Sequence, residues 1–211
     1  MKIHQVVAVA CAAFVLAGCA NTERSRDLGN PAIPGRVLAQ QACSLCHGVR
    51  GVSVSPNFPN LAAQQPAYVI AQLTEFRGHS RQDPAGFEYM WGVTRRLTDD
   101  QIAGLAAYYA ALPPAHQGAE GDVALVEAGR KLFADGVPDR NIPACSSCHG
   151  DRGQGLATFP RLAGQHTDYL AKQLRVFQRT DQRPDGSVMK VVAHQLTETD
   201  VLSAAAFLQS L

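Results

Sequence analysis

The chain has 211 residues, 46% hydrophobic and 18% charged, an ordinary globular composition with room for one large domain or two small ones. Nineteen basic against eighteen acidic side chains leave a formal charge of +1, which argues against a nucleic-acid partner, since that calls for a strong positive field. Nothing in the residue usage points to a disordered or collagen-like chain.

The first eighteen residues differ from the rest. Lys2 gives a positive start, and Ile3 to Leu16 is mostly apolar, with His4 and Gln5 near its beginning. That stretch is short for a membrane span and fits a secretory signal over 1–18. It ends in Leu16-Ala17-Gly18-Cys19, which resembles the lipobox of bacterial lipoproteins. The resemblance implies that Cys19 becomes the lipidated first residue of an exported, membrane-anchored protein. Cleavage after Ala20, releasing a soluble protein, is the alternative.

Ala20 to Pro34 is polar and ends in Asn30-Pro31-Ala32-Ile33-Pro34, so 19–34 is expected to be a tether. A helix is predicted to start near Gly35, a second over Pro66 to Arg77, and a third after the cap Thr98-Asp99-Asp100-Gln101. Pro113-Pro114 stops that third helix, which closes a first domain at 35–113 and opens a linker at 114–121. The second domain, 122–211, repeats the plan. One helix starts near Asp122, another runs from Thr167 to Gln178, and a third follows Thr197-Glu198-Thr199-Asp200. No alternating strand pattern appears, so the fold class is all-α. Tyr108 and Phe207 fall where the last helix of each half should cross the first. Phe133 is expected beside Phe207, whereas Ala39 at the corresponding place predicts different packing in the first half.

The two halves are an internal repeat. Phe58-Pro59-Asn60-Leu61 matches Phe159-Pro160-Arg161-Leu162. Gln64, Tyr68, Gln72, Leu73 and Phe76 match Gln165, Tyr169, Gln173, Leu174 and Phe177 at the same offset. Met90, Leu97, Thr98 and Tyr108 match Met189, Leu196, Thr197 and Phe207 at an offset two residues smaller.

Of six cysteines, Cys11 lies in the signal and Cys19 in the lipobox. The other four form Cys43-Ser44-Leu45-Cys46-His47 and Cys145-Ser146-Ser147-Cys148-His149. Both are C-x-x-C-H, the attachment signature of c-type haem. Two thiols at this spacing reach the two vinyl groups on one porphyrin edge, and the adjacent imidazole turns toward the iron. A four-cysteine zinc site pairs its halves at closer spacing and has no use for both histidines. A thioredoxin-like site needs one such pair, and a disulfide within C-x-x-C is a poor cross-link. Two haem c groups are therefore expected, with His47 and His149 as proximal ligands.

The sixth ligand decides function, because an open iron permits catalysis and a filled one favours electron transfer. Apart from Met1 the methionines are Met90 and Met189, at equivalent places in the repeat. They are the expected axial partners. His79, His116, His166 and His194 have no histidine at the matching place in the other half, and a surface or structural role is expected for each. His194 is the nearest rival to Met189. Pro59 and Pro160 are candidates to offer a backbone carbonyl to each proximal imidazole.

Together, the paired C-x-x-C-H-G, F-P-x-L, Tyr/Gln/Leu helix and late methionine resemble the dihaem cytochrome c4 family over nearly everything after Pro34. The run from Phe159 to His166 followed by Tyr169-Leu170 is especially specific. The resemblance implies two class I cytochrome domains related by approximate twofold symmetry and a periplasmic electron carrier. It further implies haem held by Cys43, Cys46, His47 and Met90 in one domain and by Cys145, Cys148, His149 and Met189 in the other. Its partners would be a redox donor and an acceptor such as a terminal oxidase or a denitrification enzyme. Two departures stand out: Trp91 follows Met90, and Val49 to Asn57 is only weakly like its counterpart. A dihaem peroxidase or thiosulfate-oxidising enzyme is the competing class, and matched methionines argue against it. A fixed electron-entry subunit of a larger dehydrogenase or oxidase is a third reading.

Overall fold

The computed structural model describes residues 24–211 apart from 85, 117, 119–121, 180 and 184–185. The signal, the lipobox and Cys19 lie outside the described residues. In chain order the helices are α1 (Gly35–Leu38), α2 (Ser44–His47), α3 (Pro66–Arg77), α4 (Trp91–Thr94), α5 (Asp99–Ala110), α6 (Val123–Asp135), α7 (Ser146–His149), α8 (Thr167–Arg179), α9 (Ser187–His194) and α10 (Glu198–Ser210). Two π-turns, Ala39–Cys43 and Gly86–Met90, lead into α2 and α4. Among the described residues there is no β-strand, only two isolated bridges. The fold is all-α.

Local chemistry explains where the helices begin. Thr98 Oγ1 accepts from the Gln101 N–H at 3.2 Å while Gln101 Oε1 accepts from the Thr98 N–H at 2.9 Å. Thr197 and Asp200 make the same reciprocal pair at 3.2 and 2.8 Å. Each capping box satisfies two N–H groups that the helix cannot bond itself, an effect of about 1 kcal/mol. Asp122 caps α6 by accepting from the Ala124 N–H at 2.8 Å.

In each half the last helix packs on the first, α5 on α1 and α10 on α6. The crossings require glycine. A Cβ on Gly35 would sit 2.4 Å from Gln101 O, and one on Gly129 would sit 1.9 Å from Ser203 O. Leu38, Ile102 and Leu105 are fully buried around the first crossing, each worth about 2 kcal/mol against exposure. The second crossing carries Phe133 against Phe207, ring centroids 5.5 Å apart. The first has Ala39 there instead, and Tyr109 fills the core beside it.

The expected tether ends earlier than Pro34. Ile33 is buried and Leu28 packs on the same core. Gln101 Nε2 donates to the carbonyls of Asn30 and Ile33 at 2.9 and 3.0 Å. The polar composition of this stretch concealed it, because its backbone carbonyls do the docking. The expected three helices per half also omit the segment that carries each methionine. Met189 lies on α9, and Met90 closes a π-turn ahead of α4.

The halves are joined through hydrogen bonds that repeat across a pseudo-twofold. The Arg161 N–H donates to Gln64 Oε1 at 2.6 Å and Gln64 Nε2 donates to Arg161 O at 3.0 Å. Asn60 and Gln165, the repeat counterparts, do the same at 2.8 and 2.9 Å. Deeper in the junction, the Arg81 and Arg183 guanidinium groups are both buried and both reach Gln72 Oε1 and Gln173 Oε1.

Candidate functional site

Each C-x-x-C-H motif lies on a single helical turn that ends at its histidine, α2 or α7. The turn is stopped by a glycine in the left-handed region, Gly48 at φ 76° and Gly150 at φ 81°. At Gly48 nothing else fits, since a Cβ would lie 2.0 Å from Val52 O. The stop brings the chain round so that the F-P-x-L segment faces the histidine.

Both imidazoles are buried, and each is held by a proline carbonyl. His47 Nδ1 donates to Pro59 O at 2.9 Å, and His149 Nδ1 donates to Pro160 O at 3.0 Å. A carbonyl only accepts, so the proton sits on Nδ1 and the Nε2 lone pair remains for a metal. Burial lowers both imidazole pKa values, partly opposed by the proline carbonyls, and the rings stay neutral as a ligand must. Phe58 and Phe159 stand edge-on to the two rings at centroid distances of 6.2 and 6.0 Å.

The four thiols form no disulfide. Burial pushes Cys43 and Cys145 up to about 11, so they are protonated S–H groups at neutral pH. This donor set fits covalent c-type haem: two S–H groups beside an imidazole of fixed tautomer, twice over. It does not fit a metal bound directly to protein, since among the described residues no cluster of three or more His, Cys, Asp or Glu could hold an ion.

Met90 and Met189 are both half-buried. Thr94 Oγ1 donates to Met90 O at 2.6 Å and ties the π-turn to α4. Met189 lies in the first turn of α9, whose far end is held by Gln178 Nε2 donating to Ala193 O and Leu196 O at 3.0 and 2.9 Å.

The remaining histidines are engaged elsewhere. His166 is buried, and its Nε2 donates to Ser53 O across the domain junction at 3.0 Å, which fixes the ring there. His194 is exposed, with Nδ1 donating to Lys190 O at 3.2 Å. His116 is exposed in the linker. His79 is stacked on two aromatic rings.

Sequence reasoning missed the buried cluster at the junction. Arg81 Nε donates to Asp83 Oδ1 at 2.6 Å, and Asp83 is wholly buried. The guanidinium groups of Arg81 and Arg183 lie over the Phe76 and Phe177 rings, 4.4 and 4.5 Å from the centroids. Although burial opposes its charge, the adjacent Asp83 carboxylate keeps Arg81 firmly protonated. The matching of Gln72 to Gln173 and of Phe76 to Phe177 was the available signal. The arginines gave none, because they are not at equivalent positions in the repeat.

Known proteins share this chain's fold and family. A family model described as Cytochrome c matches twice in tandem, over residues 32–112 and 126–211. Cytochrome c4 of Thiocapsa roseopersicina is 35% identical over 88% of this chain and 94% of its own. A protein of Stutzerimonas stutzeri named as a thiosulfate dehydrogenase electron acceptor is 32% identical over 80% of this chain and 78% of its own. Among solved structures, reduced cytochrome c4 from Pseudomonas stutzeri superposes with a TM-score of 0.75 at 34% identity, covering 87% of this chain and 99% of that one. Thiosulfate dehydrogenase from Marichromatium purpuratum superposes at 0.70 and 34% identity, covering 83% of this chain and 39% of that one.

Proposed function

We infer the site chemistry from the premise that this chain belongs to the cytochrome c family and, within it, to the dihaem cytochromes c4, electron carriers with two covalently bound haem c groups. The chain is an electron-transfer protein and not an enzyme. When bound, each haem supplies a one-electron iron couple. The protein residues attach it, set its potential and present it to partners.

In this reading Cys43 and Cys46 would hold one haem and Cys145 and Cys148 the other through thioether bonds. His47 and His149 would ligate the irons through Nε2, and Met90 and Met189 would each supply a second protein ligand. A soft thioether favours ferrous iron, so both potentials are expected to be high. The observation that carries this assignment is the pair of buried histidines, each pinned through Nδ1 by a proline carbonyl.

Partner docking would use the apolar surface beside each motif. Leu45 and Val54 are exposed near the first, and Leu156 and Phe159 near the second. With a formal charge of +1, encounter should be weakly salt-dependent and short-lived. The reading includes export through residues 1–18 to the periplasm and anchoring by lipid on Cys19. A terminal oxidase or denitrification enzyme would serve as acceptor. The relatives named as thiosulfate dehydrogenase electron acceptors make such a dehydrogenase a candidate donor.

An optical redox titration of the purified holoprotein tests the assignment. Two reversible high-potential steps with a methionine–iron charge-transfer band in the oxidised form are expected. A high-spin or low-potential haem would overturn the His/Met assignment.

A further inference from the structure

The two methionine segments are anchored by different means. From Gly86 to Met90 the first half has one residue more than the second has from Gly186 to Met189. The extra residue is absorbed as the π-turn Gly86–Met90, the usual way a helix takes an insertion and one often found at functional sites. Such a turn needs something to hold it, because its hydrogen bonds are poorer than those of an α-helix.

His79 is placed to do so. It sits just beyond α3 in the left-handed region at φ 59°. Its backbone is tied at both ends: its N–H donates to Phe76 O at 3.1 Å, and its carbonyl accepts from Gln82 Nε2 at 3.1 Å. Its ring stacks on both Phe87 and Trp91, with centroids at 5.3 and 4.7 Å and both interplanar angles 25°. Phe87 lies inside the π-turn and Trp91 directly follows Met90. The Arg95 guanidinium closes the stack, 5.6 Å from the Trp91 ring. Among the described residues the buried His79 Nε2 has no hydrogen-bond partner, so stacking holds this edge of the ring. The second half has Thr180 and Lys190 at the places of His79 and Trp91 and no aromatic residue between Gly186 and Met189.

We propose that His79 is a positioning residue for Met90: by clamping Phe87 and Trp91 on either side of that methionine it fixes the π-turn, and so sets the potential of the first haem independently of the second. The proposal rests on the reading of Met90 as an axial ligand.

His79→Asn in the holoprotein removes the ring while keeping a residue that accepts left-handed backbone. The expected result is a downward shift of one of the two redox steps and loss of charge-transfer absorption from one haem, with the other step unmoved and both haems still attached. Trp91→Leu, which removes the other face of the clamp, should shift the same step and covers the case that the first variant does not accumulate. Two unchanged steps, or equal movement of both, would overturn the proposal. Met90→Ala separates the two layers of argument. If it leaves both steps and the band intact, the ligand assignment fails. If it abolishes one haem's band while the His79 and Trp91 variants do not weaken it, only the positioning role fails.

Discussion

Asn60 and Gln165 exchange two hydrogen bonds across the domain junction, the Asn60 N–H to Gln165 Oε1 at 2.8 Å and Gln165 Nε2 to Asn60 O at 2.9 Å. The side-chain amide reads the backbone of the opposite F-P-x-L segment as a strand would. Gln64 does the same to Arg161. Each of these backbone positions directly follows the proline whose carbonyl holds a proximal histidine. The junction and the two haem sites therefore share one short segment per domain, and a shift of one domain against the other would be felt at the histidines.

Gln165→Ala should destabilise the protein by about 2 kcal/mol, because it strands the buried Asn60 N–H and carbonyl without partners. Calorimetry on the holoprotein should show a lower transition temperature and a split into two domain transitions. A single unchanged transition would mean the junction contributes nothing to cooperativity.

Arg81→Ala leaves the wholly buried Asp83 carboxylate without its guanidinium at 2.6 Å and should cost roughly 3–5 kcal/mol. The double variant Arg81→Met with Asp83→Leu should recover most of that loss, since it removes both charges together. Denaturant unfolding of Arg81→Met, Asp83→Leu and the double variant measures the coupling. Additive losses would show that the pair is not the source of the cost.

Met90→Ala and Met189→Ala should each leave two covalent haems, verified by intact mass, and lower the potential of one haem while the other keeps its high-potential step. The complementary pair of titrations assigns each step to its domain. If one variant moved both steps together, the haems would be strongly coupled across the junction.

Asp200 ties the Pro138–Arg140 turn to α10, accepting from Arg140 Nη1 and Nη2 at 2.7 and 3.1 Å. Burial alone would raise its carboxyl, but the bonds from Arg140 and Thr197 outweigh it and hold the pKa down. A lowered folded-state pKa gives stability that is present above the ordinary carboxylate value and lost as pH falls through the lowered one. Arg140→Ala should lower stability near neutrality and flatten the acid limb of stability against pH, as followed by thermal melts.

The helices that begin at Pro66, Asp122, Thr98 and Thr197 were legible because their signals lie within a few residues of one another. The methionine-bearing segments were not read as helices. Trp91–Thr94 is a single turn, and the π-turn before it breaks the spacing that marks a helix. Leu28 to Ile33 looked like a free tether because its two apolar anchors are set among Gly, Asn and Pro and its other docking contacts are backbone carbonyls.

The two haem motifs, the duplication and the all-α class are written in residue order. Covalent attachment needs two cysteines and a histidine at fixed short spacing, and helix caps and periodicity act over one or two turns. The roles of Gln64, Gln165, Arg81, Arg183 and His79 emerge from packing in three dimensions. Their partners lie far along the chain or in the other domain, or belong to a turn whose irregularity hides it. A polar side chain in a sequence is silent about whether it will be buried, and burial is what turns these residues into a junction, an ion pair and a clamp.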